Sequence, residues 1–184
     1  MSAAAPAVLV WPWWQRSLHW LLAACVITAT VTYEGGRIHE AAGYAALAAA
    51  LARIGLGLFG PKHARFAAFV RSWSATWQYA KALRHRQEPR HLNHNPLGAW
   101  MTLTLLALTT FGALSGWLYT TDRYWGEAWV INLHAALCWP FVLLVSLHLA
   151  GVVHAGRRHG ENLVAAMLNG RKRPQTHTTP DQSR

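Results

Sequence analysis

The stretch WVINLHAALCWPFVLLVSLHLAGVV, residues 129–153, decides how this chain folds. It contains no charged side chain and is longer than the roughly twenty residues a helix needs to cross the ~30 Å hydrocarbon core of a bilayer. Two histidines interrupt it, His134 and His148, fourteen positions apart. At 100° and 1.5 Å per residue, that step leaves the two imidazoles about 40° apart around a helix and about 21 Å apart along it. Both therefore face one side at two depths. An ionisable group at membrane depth is costly without a partner, so each of these histidines is a candidate functional residue.

Working outward, three more apolar stretches of similar length stand out: Trp13–Tyr33, His39–Phe59 and Leu97–Tyr119. Trp11, Trp13, Trp14, Tyr119, Trp125 and Trp129 lie near their ends, where amphipathic rings settle at headgroup level. The expected fold class is all-α: an integral membrane four-helix bundle. Composition agrees, since 53% of the 184 residues are hydrophobic and only 13% are charged, about half the usual charged share of a soluble domain. That excludes disorder and an ordinary water-soluble enzyme. The first stretch reads as a retained helix, because Arg16 is the only positive residue before it and no small-x-small cleavage site follows.

Charge sets the orientation. Lys and Arg number 17 against 7 acids, for a net charge of +10. The linker Pro61–Pro96 holds Lys62, Arg65, Arg71, Lys81, Arg84, Arg86 and Arg90 against Glu88, and the tail beyond Val153 is equally basic. The two opposite loops hold Arg37 and Arg123 against Glu34, Glu40, Asp122 and Glu127. The positive-inside rule puts both termini and the long linker in the cytoplasm, so the excess charge is topological and implies no nucleic-acid partner. Cys25 and Cys138 lie inside separate apolar runs, which excludes a disulfide framework and a covalent c-type haem motif.

Of the 11 histidines, four fall at membrane depth: His19, His39, His134 and His148. The first helix starts inside, so His19 matches the depth of His148; the second starts outside, so His39 matches His134. Two imidazole pairs result, one per leaflet, each drawn from two helices. A facing pair of neutral imidazoles is what an iron porphyrin needs for axial ligation on both faces. The expectation is therefore two haems between the helices, with His19, His39, His134 and His148 as iron ligands. A zinc or copper site competes, but each pair offers two nitrogens with no carboxylate or thiolate close by. Gly43, one turn past His39, leaves room for a flat macrocycle. Arg53, fourteen residues past His39, repeats the step down that face and could neutralise haem propionates, or else snorkel to the headgroups.

Elsewhere, Phe66, Phe69, Val70, Trp73, Trp77 and Ala80 recur at helical spacing among basic residues. They predict an amphipathic helix over about 64–84, lying on the anionic membrane face or docked on a soluble partner. His94 and Asn95 read as a helix cap with a proline turn. Gly112-x-x-x-Gly116 marks a close helix contact, in the bundle or in a homodimer. His63, His85, His91, His159 and His177 read as solvated, and residues 174–184 as a disordered tail.

The segments Arg16-Ser-Leu-His19-Trp20, His39-Glu-Ala-Ala-Gly43, His94-Asn-Pro-Leu-Gly98, the His134/His148 spacing, and Glu161-Asn-Leu-Val-Ala-Ala-Met167 followed by Gly170-Arg-Lys together resemble the bacterial cytochrome b561 family. That family is related to the b-type cytochrome subunits of nickel-iron hydrogenases. The resemblance runs from Trp13 to about Arg173. It implies a four-helix cytoplasmic-membrane cytochrome with two non-covalent b haems, the inner held by His19 and His148 and the outer by His39 and His134. It also implies electron transfer in a respiratory chain between the quinone pool and a periplasmic partner such as a c-type cytochrome, a dehydrogenase or a hydrogenase, with His94 and Asn95 as candidate partners of a quinone that reacts at the cytoplasmic end. His154, six residues past His148, points about 240° away around the helix and is not expected to be a ligand. Two other readings remain: a superoxide–quinone oxidoreductase acting alone, which the acidic outer loops disfavour, and a haem-free metal transporter, which the scarcity of carboxylates in the spans disfavours.

Overall fold

A computed structural model describes residues 8–89, 91 and 94–172. The side chain of His63, all of His177 and the predicted tail lie outside the described residues. The described chain forms seven α-helices: α1 (Trp13–Val31), α2 (Arg37–Phe59), α3 (Phe66–Phe69), α4 (Trp73–Arg84), α5 (Pro96–Tyr119), α6 (Ala128–His159) and α7 (Leu163–Asn169). Two short strands, β1 (Val8–Leu9) and β2 (Arg171–Lys172), pair antiparallel.

Each predicted span falls on one long helix. By length and composition α2, α5 and α6 can cross a membrane, with mean hydropathies of 1.6, 1.6 and 2.1. The nineteen-residue α1 is not among them, because Gln15, Arg16, Ser17 and His19 dilute its first turns. At 32 residues α6 is about 48 Å long, so it outruns the hydrocarbon core and carries Arg157 and Arg158 in its last turn. Gly35 and Gly36, at φ +96° and +91°, make the tight return from α1 to α2, a conformation that a Cβ would disfavour.

The four long helices pack in a row, α1 on α2, α2 on α5 and α5 on α6. The seams rest on small residues: Ala42, Ala46, Ala49, Ala50 and Gly57 are buried along α2, letting backbones approach as membrane packing requires. By contrast α6 has no packed seam with α1 or α2. Large apolar side chains such as Ile27, Leu51, Phe111 and Leu143 remain exposed on the outside, where lipid rather than water is their natural solvent.

One correction concerns the linker. The single amphipathic helix expected over about 64–84 is divided into a 3-10 turn (Lys62–Ala64), α3 and α4. Backbone at Val70 and Ser72 is extended, and the Ser72 hydroxyl accepts a hydrogen bond from the Ala75 amide, capping α4. The break turns Phe66 and Phe69 toward the bundle. Phe66 lies where a Cβ on Gly57 would fall, and Phe69 is buried. Trp73 and Trp77 on α4 stay exposed.

The N-terminal segment and α7 close the same end. The Arg16 guanidinium donates to the Leu168 carbonyl, and Trp20 Nε1 donates to the Met167 carbonyl at 3.3 Å. The Val10 and Trp11 amides donate to the Gly170 carbonyl. Trp11 is thereby buried over the end of the bundle.

Candidate functional site

The four membrane histidines come together in the two pairs expected. The ring centroids of His19 on α1 and His148 on α6 are 6.4 Å apart, with planes tilted by 56°. Those of His39 on α2 and His134 on α6 are 6.0 Å apart and nearly perpendicular at 77°. Each pair spans the gap between α6 and a helix it does not pack against. All four residues are half-buried, and His154 faces outward.

The His39–His134 pair has a supporting set of hydrogen bonds. His39 Nδ1 lies 3.1 Å from the Ala29 carbonyl, and His134 Nδ1 lies 3.0 Å from the Gly112 carbonyl. A carbonyl can only accept, so both Nδ1 atoms carry the proton and both Nε2 atoms keep a lone pair for a ligand. Ser115 Oγ stands 3.1 Å from His134 Nδ1 and donates to the same Gly112 carbonyl at 2.8 Å. A Cβ on Gly116 would sit 3.1 Å from His134 Cε1 and one on Gly112 3.9 Å from Cys138 Sγ. The Gly112-x-x-x-Gly116 face is thus the contact of α5 with α6.

Sequence reading put no thiolate near either pair. That is corrected: Cys138, one turn past His134, places Sγ 3.5 Å from His134 Nε2. The i, i+4 spacing was the signal available for it. Even so, among the described residues no three His, Cys, Asp or Glu side chains converge to hold a metal ion.

Does haem fit? An imidazole nitrogen about 2 Å from a metal on each side, and about 1 Å more to each ring centre, sets axial imidazole centroids about 6 Å apart. Both observed separations match. The gap beside α6 is not filled by packed backbone, and a Cβ built on Gly43 meets no atom within 4 Å. Arg53 adds an independent sign. Its side chain is buried: the residue is 6% exposed, its guanidinium lies 5.0 Å over the Phe66 ring, and both terminal nitrogens have no hydrogen-bond partner. A buried guanidinium left so is costly unless an anion meets it.

At the His19–His148 end of the bundle, His94 and Asn95 divide the two roles the sequence offered. Asn95 is a cap: its Oδ1 accepts from the Gly98 amide at 2.7 Å, and Pro96 follows at the first helical position. His94 is packed instead, stacked on Phe69 at 4.6 Å and edge-on to Trp11 at 4.9 Å, with Nδ1 buried and unpartnered. Burial, then the positive fields of Arg53 and Lys172 and of the His148 and His19 rings, push its pKa down to about 3. His91, expected to be solvated, is half-buried, its Nε2 covered and its ring 5.5 Å from that of Tyr79. Its pKa is lowered by burial first and then by Arg71 and His159.

Comparison with protein-family models matches residues 10–170 to prokaryotic cytochrome b561. Searches of curated proteins and of solved structures returned no match.

Proposed function

The chain belongs to the prokaryotic cytochrome b561 family, whose members are helical membrane proteins that bind b-type haem and transfer electrons, and we propose that it carries electrons across a bacterial inner membrane through two haems, between the quinone pool and a periplasmic redox partner. The observation that carries this reading is the pair of facing imidazole couples at 6.4 and 6.0 Å, each across a helix gap. In it, His19 and His148 hold the inner haem, His39 and His134 the outer one. Bound there, haem iron would accept and release single electrons.

The protein's own residues supply the rest. Ala29 and Gly112 carbonyls fix the tautomer and aim of His39 and His134. Gly43 leaves the macrocycle its space, and the buried Arg53 guanidinium meets propionate charge. Helix α6, contributing one imidazole to each pair, spaces the two sites along its axis. For quinone, an apolar groove of about 260 Å³ between α2 and α5, lined by Ile54, Phe66, Leu103, Leu106 and Phe111, suits an apolar tail.

The test is a dithionite-reduced minus oxidised optical spectrum with a pyridine haemochrome count, on the protein in detergent and on His39→Ala and His148→Ala. Two b haems per chain, with each substitution removing one, is the expected result. No haem, or a count untouched by loss of His148, overturns the reading.

A further inference from the structure

The two imidazole pairs are held by different means. His39 and His134 stand on α2 and α6, and both of these helices pack on α5 between them. His19 and His148 stand on α1 and α6. Among the described residues, α1 has a packed seam with α2 alone of the long helices, and α6 with α5 alone. No long helix therefore lies behind the His19–His148 gap to fix its 6.4 Å. The short helix α7 touches both sides of it.

Helix α7 reaches α6 by folding back on it. Gly160, in the left-handed region at φ +61°, ends α6, and the Glu161 amide donates to the Gly156 carbonyl at 2.9 Å. Leu163 and Val164 then share a groove with Val152, Val153 and Gly156, one to two turns past His148. A Cβ on Gly156 would lie 2.8 Å from the Glu161 carbonyl oxygen, so glycine is what lets the return run this close. The other end of α7 is tied to α1 through carbonyl acceptors. Trp20 Nε1 donates to Met167 at 3.3 Å, the Arg16 guanidinium to Leu168, and the Val10 and Trp11 amides to Gly170 at 2.8 and 3.1 Å. Arg16 and Trp20 stand three positions before and one after His19, and the Trp20 ring lies edge-on to the His19 ring at 5.4 Å.

We propose that α7 is a brace that sets the separation of α1 and α6 where His19 faces His148, with Arg16 and Trp20 as the positioning residues that fasten it to the His19 turn. What the gap is kept open for, an axial ligand pair, rests on the haem reading above. A gap held at that width beforehand spares the cost of ordering two helices when the ligand binds, and contacts behind a ligating imidazole aim it. The His39–His134 gap has α5 behind it and the Ala29 and Gly112 carbonyls on its rings. It does not need α7, so the two sites answer differently when the brace is cut.

The experiment measures haem transfer to apomyoglobin from two single-site proteins, His39→Ala for the His19–His148 site and His148→Ala for the other. Arg16→Met is expected to speed transfer from the first by about tenfold or more, as loss of a charge-assisted hydrogen bond would, and to leave the second within about twofold. Gly156→Ala, which pushes α7 off α6, and Trp20→Phe, which keeps a ring beside His19, should act on the same site alone, and Arg16→Lys, which keeps a donor, should restore most of the retention. Spin labels at Leu21→Cys and Leu147→Cys, exposed positions on α1 and α6, in a Cys25→Ala, Cys138→Ala background, read the gap in the haem-free protein by pulsed EPR. The same variants should broaden that distance distribution. Equal loosening of both sites, or unchanged rates and distances, overturns the brace. Arg16→Met acting while Gly156→Ala and Trp20→Phe are silent assigns Arg16, whose Nε is buried and unpartnered, to a bound anion and overturns it too. If the parent holds no haem, the haem reading falls, and the brace stands or falls on the label distances.

Discussion

Three glycines near the outer pair make a graded test of the site, because the space around each differs. An alanine Cβ at Gly116 would lie 3.1 Å from His134 Cε1 and 3.4 Å from Nδ1. At Gly112 it would lie 3.9 Å from Cys138 Sγ, an ordinary contact, and at Gly43 it would meet nothing within 4 Å. Overpacking of the Gly116 kind costs about 1–3 kcal/mol where neighbours are pinned. Without haem, the His134 ring can rotate away; with iron bound, the ring is fixed and the strain remains. The helical gain of alanine over glycine, about 0.5–1 kcal/mol, is common to both forms and cancels. Gly116→Ala should therefore weaken haem retention at the outer site by about 5- to 150-fold, while Gly112→Ala leaves it within about twofold. Gly43→Ala should not disturb the haem-free fold, yet should lower outer haem content, since its methyl enters the space assigned to the macrocycle. The assay is haem per chain by pyridine haemochrome, after dilution into apomyoglobin as haem acceptor. Gly112→Ala losing more haem than Gly116→Ala, or Gly43→Ala retaining the full complement, refutes the placement of a macrocycle between α2 and α6.

Arg53→Met should release the inner haem about ten- to a hundredfold faster, the worth of one charge-assisted hydrogen bond, while the haem-free protein unfolds at the same or a higher denaturant concentration because an unpaired buried charge is gone. A less stable haem-free protein with unchanged haem release would place the Arg53 charge in the packing alone. His94 gives a pH signature. Its folded pKa, about 3, lies below the ordinary 6.5, so the unfolded chain binds the extra proton. Stability is full above about pH 6.5 and falls as pH drops toward 3, by about 2 kcal/mol at pH 5. Denaturant unfolding of His94→Phe, which keeps the stack on Phe69, should show a correspondingly flatter profile between pH 7 and 5.

The long helices and both histidine pairs were legible because they depend on short-range rules. Hydropathy over about twenty residues marks a span, and the fourteen-residue step between His134 and His148 is helix geometry. Matching depths across helices needed only the alternation of chain direction. What was hidden depends on contacts between residues far apart in sequence. The docking of Leu168 on Arg16 and of Trp11 on His94 brings the N-terminal segment against the end of α7 and the linker before α5 through single side chains, with no periodicity to betray it. The break after α3 came from Ser72 as a cap, visible in principle as a serine before a helical run, yet masked by the amphipathic spacing that continues through it. His91 looked like one more basic-loop histidine because burial by Tyr79 is a tertiary event.

The two pairs share a donor set but not a setting. Around His39 and His134 the neighbours are small or weakly polar: Gly112, Ser115, Gly116 and Cys138. At the His19–His148 end, the buried His94 feels the His148 and His19 rings together with the Arg53 and Lys172 charges, and the Arg53 guanidinium has no hydrogen-bond partner. In the proposed two-haem arrangement, positive charge near one site would favour its reduced iron, so two haems with the same axial ligands would differ through their surroundings. The same asymmetry separates the two ends: His134 packs closely against Gly112 and Gly116 of α5, whereas the other end is closed by His94, Phe69 and Trp11. A symmetric row of four helices thus acquires a polarity from its connections rather than from its spans.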